Sequence, residues 1–177
     1  ADTMAEYFRE LYLRVRSKPD DGVPGVNYLF KDVDGNLRLG EKYVTFWPPE
    51  ARRKMAALLV KAEQEAADDS RSLSWIRLAR IGFEHIDATA AVYQAHRDYA
   101  AAKSMEKLAA IQEALEARAA LVARIKELPE KEPDFVKKYF PNHKVFAGFL
   151  DGECRTAPAG VPFTWDVKKL VAEGKLP

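Results

Sequence analysis

Residues 70–102 read SRSLSWIRLARIGFEHIDATAAVYQAHRDYAAA, and this stretch decides the fold. Trp75, Leu78, Ala79, Gly82, Ile86, Ala90, Tyr93 and Arg97 recur at three, four and seven residues, the period of one helical face. No proline interrupts the pattern, so it predicts one long helix from Ser70 or Ser72, either a suitable N-cap, to Ala101 or Ala102. Gly82 inside such a helix costs about 1 kcal/mol relative to Ala. Its expected use is close helix packing beside Ala79 and Ala90.

Outward from this stretch the same period appears on both sides. Upstream, Trp47-Pro48-Pro49-Glu50 opens a helix, because proline is tolerated in a first turn whose amides lack partners anyway. Met55, Leu58, Leu59, Ala62 and Ala66 form its stripe, and Asp68-Asp69-Ser70 end it. Downstream, Ser104 is placed to cap a helix carrying Leu108, Ile111, Leu115, Val122 and Ile125, ending at Leu128-Pro129. Connectors of a few residues force neighbouring helices to run antiparallel. Near the start, Thr3 and Glu6 fit a capping box. Behind them Met4, Phe8, Leu11, Tyr12 and Val15 mark a helix to about Ser17, stopped by Lys18-Pro19-Asp20-Asp21-Gly22.

The remaining segments are less regular. Val26, Tyr28 and Phe30, then Tyr43, Thr45 and Trp47, alternate around the turn dipeptide Asp34-Gly35, which predicts a small β-hairpin or an ordered loop at about 18–48. After Pro129 a short helix over Phe135–Phe140 is expected. A loop punctuated by proline and glycine follows, then a last helix capped by Thr164 or Asp166 and ending at Gly174. Phe146, Phe149, Leu150, Phe163 and Trp165 would anchor this tail. The predicted fold class is mainly α: an antiparallel helical bundle of three long helices plus an N-terminal helix. Its predicted organisation is a bundle over 1–128, with the hairpin or loop insertion, and an irregular tail over 129–177 that wraps it.

Composition bounds the function. With 177 residues, 47% hydrophobic and 31% charged, the chain is globular and long enough to bury a core without metal or disulfide. Its 28 Lys+Arg against 27 Asp+Glu give a net charge of +1, too little for strong unspecific nucleic-acid binding. No apolar run approaches the roughly 18 residues of a membrane span. The single Cys154 excludes an internal disulfide framework, and with one cation beside it (Arg155) it reads as unreactive. A first residue of Ala rather than Met reads as a processed product or a piece of a longer chain.

No catalytic constellation, metal site or cofactor motif emerges. His85 and His96 share a face but stand about 16 Å apart along a helix, too far for one metal, and read as surface or rim histidines. Arg80, Glu84 and Asp87 read as a helix-surface group in which Arg80 pairs with Glu84. Asp32-Val33-Asp34-Gly35-Asn36 fails as a calcium loop, since the glycine comes at the fourth position and Tyr43 stands at the twelfth. The segment 43–53 is the candidate binding site. Tyr43 and Trp47 can stack on the apolar face of a sugar ring, and a nearby arginine can bind carboxylate or hydroxyl groups. Of Arg52 and Arg53, the expectation is that Arg53 points toward Trp47, because Arg52 lies nearer the buried stripe. The alternative is a Trp47 that staples the loop onto the following helix.

Two stretches carry a resemblance. One is Met4-Ala5-Glu6-Tyr7-Phe8-Arg9-Glu10-Leu11-Tyr12. The other runs from Phe46-Trp47-Pro48-Pro49-Glu50 through Leu58-Leu59-Val60-Lys61-Ala62-Glu63 to Trp75-Ile76-Arg77-Leu78-Ala79-Arg80-Ile81. Together they resemble the helical region that follows the catalytic barrel in bacterial alpha-glucuronidase-like glycoside hydrolases, a region classed only as a domain of unknown function. The resemblance covers about residues 3–95. It implies an accessory, non-catalytic helical domain of a carbohydrate-active protein, with an acidic oligosaccharide or an adjoining catalytic barrel as partner. It also implies an extracellular or periplasmic location. The alternative is a protein–protein interaction or scaffold module with no carbohydrate role.

Overall fold

The computed structural model describes residues 2–15, 44, 46–146 and 166–177. The hairpin expected at about 18–48, apart from its last residues, lies outside them. So do the tail anchors Phe149, Leu150, Phe163 and Trp165, the 32–36 segment and Cys154. The described residues are mainly α-helical: α1 (Asp2–Val15), α2 (Pro49–Glu65), α3 (Ser70–Ala101), α4 (Met105–Lys131), α5 (Pro133–Tyr139) and α6 (Val167–Ala172). The chain divides into two compact units, Ala1–Ile86 and Asp87–Pro177, with the division inside α3. The boundary expected after residue 128 falls within the second unit.

In the first unit, α2 starts as its prolines dictate, with Pro48 as N-cap and Pro49 in the first turn. It buries Ala51, Met55, Leu58, Leu59 and Ala62, close to the stripe read from the sequence. The start of α3 differs from expectation. Its cap is Asp69, whose Oδ1 accepts from the amides of Arg71 and Ser72 at 3.0 and 3.2 Å. A carboxylate at a helix N-terminus also meets the positive end of the helix dipole, an advantage that a serine there lacks.

The face of α1 is rotated from the predicted one. Among the described side chains of α1, Tyr7, only 2% exposed, and Thr3 are the buried ones, whereas Phe8, Tyr12 and Leu13 are more than half exposed. Thr3 does not cap the helix. It lies inside it, and its hydroxyl donates to Glu65 Oε1 at 2.7 Å. Lys54 reaches Glu10 at 2.7 Å and Glu6 at 3.3 Å, so contacts along α1 and α2 run in opposite order. The Tyr7 hydroxyl donates to the Ala79 carbonyl at 3.4 Å. Polar partners at positions 3, 7, 10 and 14 outweigh the apolar pattern that periodicity alone detects.

In the second unit, Ser104 caps α4 as expected, accepting from the Lys107 amide at 3.2 Å. The helix does not stop at Pro129 but continues to Lys131. A proline this close to a helix end removes one amide bond, and the Glu132 amide still closes on Leu128 at 2.8 Å. Tyr99, Leu108, Ile111 and Val167 form a buried cluster, with Leu115, Leu170 and Val171 packed against it. Asp166 caps α6 by accepting from the Lys169 amide at 3.0 Å. Gly174, at φ +64°, ends it. The Lys175 amide bonds to Leu170 and the Gly174 amide to Val171, the paired closure that a left-handed glycine permits. Phe146, the one described tail anchor, sets its ring 5.5 Å from that of Phe140.

The expected close packing at Gly82 is not found. Among the described residues, a Cβ built there meets nothing within 4 Å outside its own helix backbone. Gly82→Ala is therefore expected to stabilise the protein by about 1 kcal/mol, because alanine removes the backbone entropy cost and has room. A thermal melt checks this, and a lowered midpoint would mean that a hidden contact needs the glycine.

Candidate functional site

The segment expected to stack on sugar is built differently. Tyr43 lies outside the described residues. Trp47 is 5% exposed and Phe46 is equally buried, so the indole presents no open face to a ring. The reason is local geometry. Pro48 holds extended backbone at φ −61°, ψ 157°, and the chain turns there into α2. Arg52 rather than Arg53 then meets this turn, with its Nε donating to the Trp47 carbonyl at 3.1 Å. Arg53 is exposed on the helix surface. Arg14 donates to the Phe46 carbonyl at 3.1 Å, which ties α1 to the same turn. Burial of an indole side chain is a sufficient physical reason for the sequence of this segment.

Other predicted groups also move. His85 and His96 are buried rather than on the rim, at 5% and 3% exposure. Arg80 does not stay on its own helix. It makes a two-pronged pair with Glu63 of α2, Nε to Oε1 at 2.5 Å and Nη2 to Oε2 at 2.7 Å. A planar guanidinium matches two carboxylate oxygens at once, which an i, i+4 partner on one helix rarely permits. Sequence reading also missed a buried polar pair in the second unit, where Arg118 Nε donates to Thr89 Oγ1 at 3.1 Å. No periodic signal marks an arginine on a buried face.

The first unit contains a groove of about 790 Å³ between α1, the end of α2 and the start of α3. Ala62, Ala66 and Ala79 contribute small side chains to its lining, and Met4, Phe8, Trp75, Ile76 and Leu78 supply its larger apolar surface. Phe8 and Trp75 are 51% and 52% exposed. Glu65, Asp69 and Ser72 provide its polar atoms. Hydrogen bonds from Ser72, first through its side chain, hold the Asp69 carboxyl below its usual range, so it stays ionised at neutral pH. A shallower apolar hollow on α1 adjoins Phe8, lined also by Ala5, Arg9, Leu11 and Tyr12. The signal for this groove was present in the sequence. Met4, Phe8, Trp75, Leu78 and Ala79 belong to stripes that periodicity assigned to a core, and they line an open groove instead. The site suits an apolar ligand or side chain. Among the described residues no group of three or more His, Cys, Asp or Glu could hold a metal ion. Among them, too, no helix is long and apolar enough to cross a membrane.

Fold and groove together define a mainly α-helical protein with an aromatic-walled, acid-edged groove. Comparison with protein-family models, curated proteins and solved structures finds no match to this chain.

Proposed function

We propose that this chain works by docking rather than by catalysis: it is a helical interaction module whose first unit receives an apolar segment of another polypeptide. The groove carries this reading. Large aromatic side chains held half exposed beside a concave apolar surface are the usual composition of an anchor site. The proposed assembly of the helices is the antiparallel bundle, with a hairpin or loop insertion before α2.

A second reading has its own observation. Met4, Phe8, Leu78, Ala79 and Trp75 line the groove and belong to the stretches that resemble the helical region of alpha-glucuronidase-like glycoside hydrolases. In this reading the module is an accessory domain of a carbohydrate-active protein, its occupant is an adjoining catalytic barrel, and its location is extracellular or periplasmic. An acidic oligosaccharide is a poor occupant, because its carboxylates would face Glu65 and Asp69.

Site-specific photocrosslinking in the source cells tests both readings. p-Benzoylphenylalanine replaces Phe8 or Trp75, with exposed Ala120 in the second unit as the control. The expected result is one polypeptide crosslinked from positions 8 and 75 and not from 120. A partner bearing a glycoside hydrolase barrel selects the accessory reading, and any other single partner selects the free-standing module. Adducts at all three positions alike, or at none, would overturn docking through this groove.

A further inference from the structure

Resting on the docking reading, we infer that the occupant is an amphipathic helical segment with a basic flank, which seats apolar side chains between Phe8 and Trp75 and sets a lysine or arginine against Glu65 and Asp69. Charge points to it. The ionisable side chains lining the groove are these two carboxylates, with no lining cation among the described residues. The last turn of α2 carries no basic residue, although the negative end of its helix dipole lies there and Glu65 is its final residue. A cation at that edge would be favoured by the dipole and by both carboxylates together.

The partners these carboxylates already have leave room for one more. Glu65 Oε1 accepts from Thr3 at 2.7 Å and lies 3.7 Å from Lys61 Nζ. Asp69 accepts from two amides and the Ser72 hydroxyl. An ionised carboxylate offers about four acceptor positions, so a donor from outside can add to each set without breaking it. Shape points to a helix. Met4 and Phe8 stand at i, i+4 on α1, and Ser72, Trp75, Ile76 and Ala79 stand at i, i+3, i+4 and i+7 on α3. These are ridges of the kind that receive an amphipathic helix laid along them.

The test uses the full chain and two synthetic 18-residue helices with one leucine pattern, the polar face being lysine in one and glutamate in the other. Binding is read by calorimetry at about 0.15 M salt. The lysine peptide is expected to saturate one site and to bind at least about tenfold tighter than the glutamate peptide. Glu65→Gln with Asp69→Asn keeps the Thr3 bond and a competent helix cap, and should reduce that preference to about threefold or less. Ala66→Arg, at the partly exposed end of α2, places a cation inside the groove and should abolish binding; circular dichroism melts confirm that each variant folds. Equal binding of both peptides, or a lysine preference unmoved by the double substitution, would overturn the charge assignment while crosslinks from positions 8 and 75 still support docking. Binding and crosslinks that both survive Ala66→Arg would overturn docking as well. Sedimentation of the wild type alone as a dimer that Ala66→Arg dissociates would make a second copy the occupant, and would also overturn the inference.

Discussion

Leu108→Ala is expected to lower the stability of the second unit by about 2–5 kcal/mol, the cost of a large cavity in a core that closes only partly around it. Leu108 is fully buried and packs in the cluster of Tyr99, Ile111 and Val167, which joins α3, α4 and α6. α6 has only six residues, too few to persist without the partners it packs on. Its hold on the unit comes from Val167, Leu170 and Val171 against this cluster, and from the Tyr99 hydroxyl and Lys103 Nζ donating to the Pro177 carbonyl at 3.0 and 2.8 Å. Urea unfolding of wild type and variant gives the loss directly. Amide hydrogen exchange adds a local readout, since the α6 amides should lose protection first. A loss below about 1 kcal/mol would show that the unit has its core elsewhere.

Acid should destabilise the protein through His96. Burial among α-helical side chains pushes the His96 imidazole down to about 4 from an ordinary 6.5. The unfolded chain therefore takes up a proton between pH 6.5 and 4 that the folded chain refuses. Stability from this source is complete above pH 6.5, falls as pH drops toward 4, and levels off below. A shift of that size corresponds to on the order of 3 kcal/mol. Glu10, held below its ordinary 4.5 chiefly by its hydrogen bond from Lys54, loses its own contribution at lower pH still. His96→Leu removes the titrating group, so its unfolding free energy should vary much less between pH 7 and 4.5 than that of the wild type. Identical pH slopes in the two proteins would show that His96 is hydrated in the folded state.

Helix existence was legible in the sequence wherever a local rule decided it. Pro48 and Pro49 start α2, Ser104 starts α4, Asp166 and Gly174 bracket α6, and the uninterrupted 70–102 pattern runs as one helix. These features depend on the conformational limits of single residues and on amides within a few positions. Which face each helix buries was less legible. The α2 and α4 stripes largely hold, but on α3 only Ala90 and Tyr93 of the expected stripe are buried, while Ile76, Ile81 and Phe83 are buried in its place. α3 is apolar on more than one side, so its period does not choose between faces.

By itself, then, the sequence determined that this protein is mainly helical and, to within a few residues, where its described helices lie, because caps, prolines and periodicity act over one or two turns. Tertiary structure alone decided that Trp47 is buried, that Arg80 reaches Glu63, that Arg118 is buried beside Thr89, and that Phe8 and Trp75 are half exposed. Each of these depends on which neighbour comes within a few ångströms from a distant part of the chain. A periodic apolar stripe reads the same whether another helix covers it or leaves it as the wall of a groove.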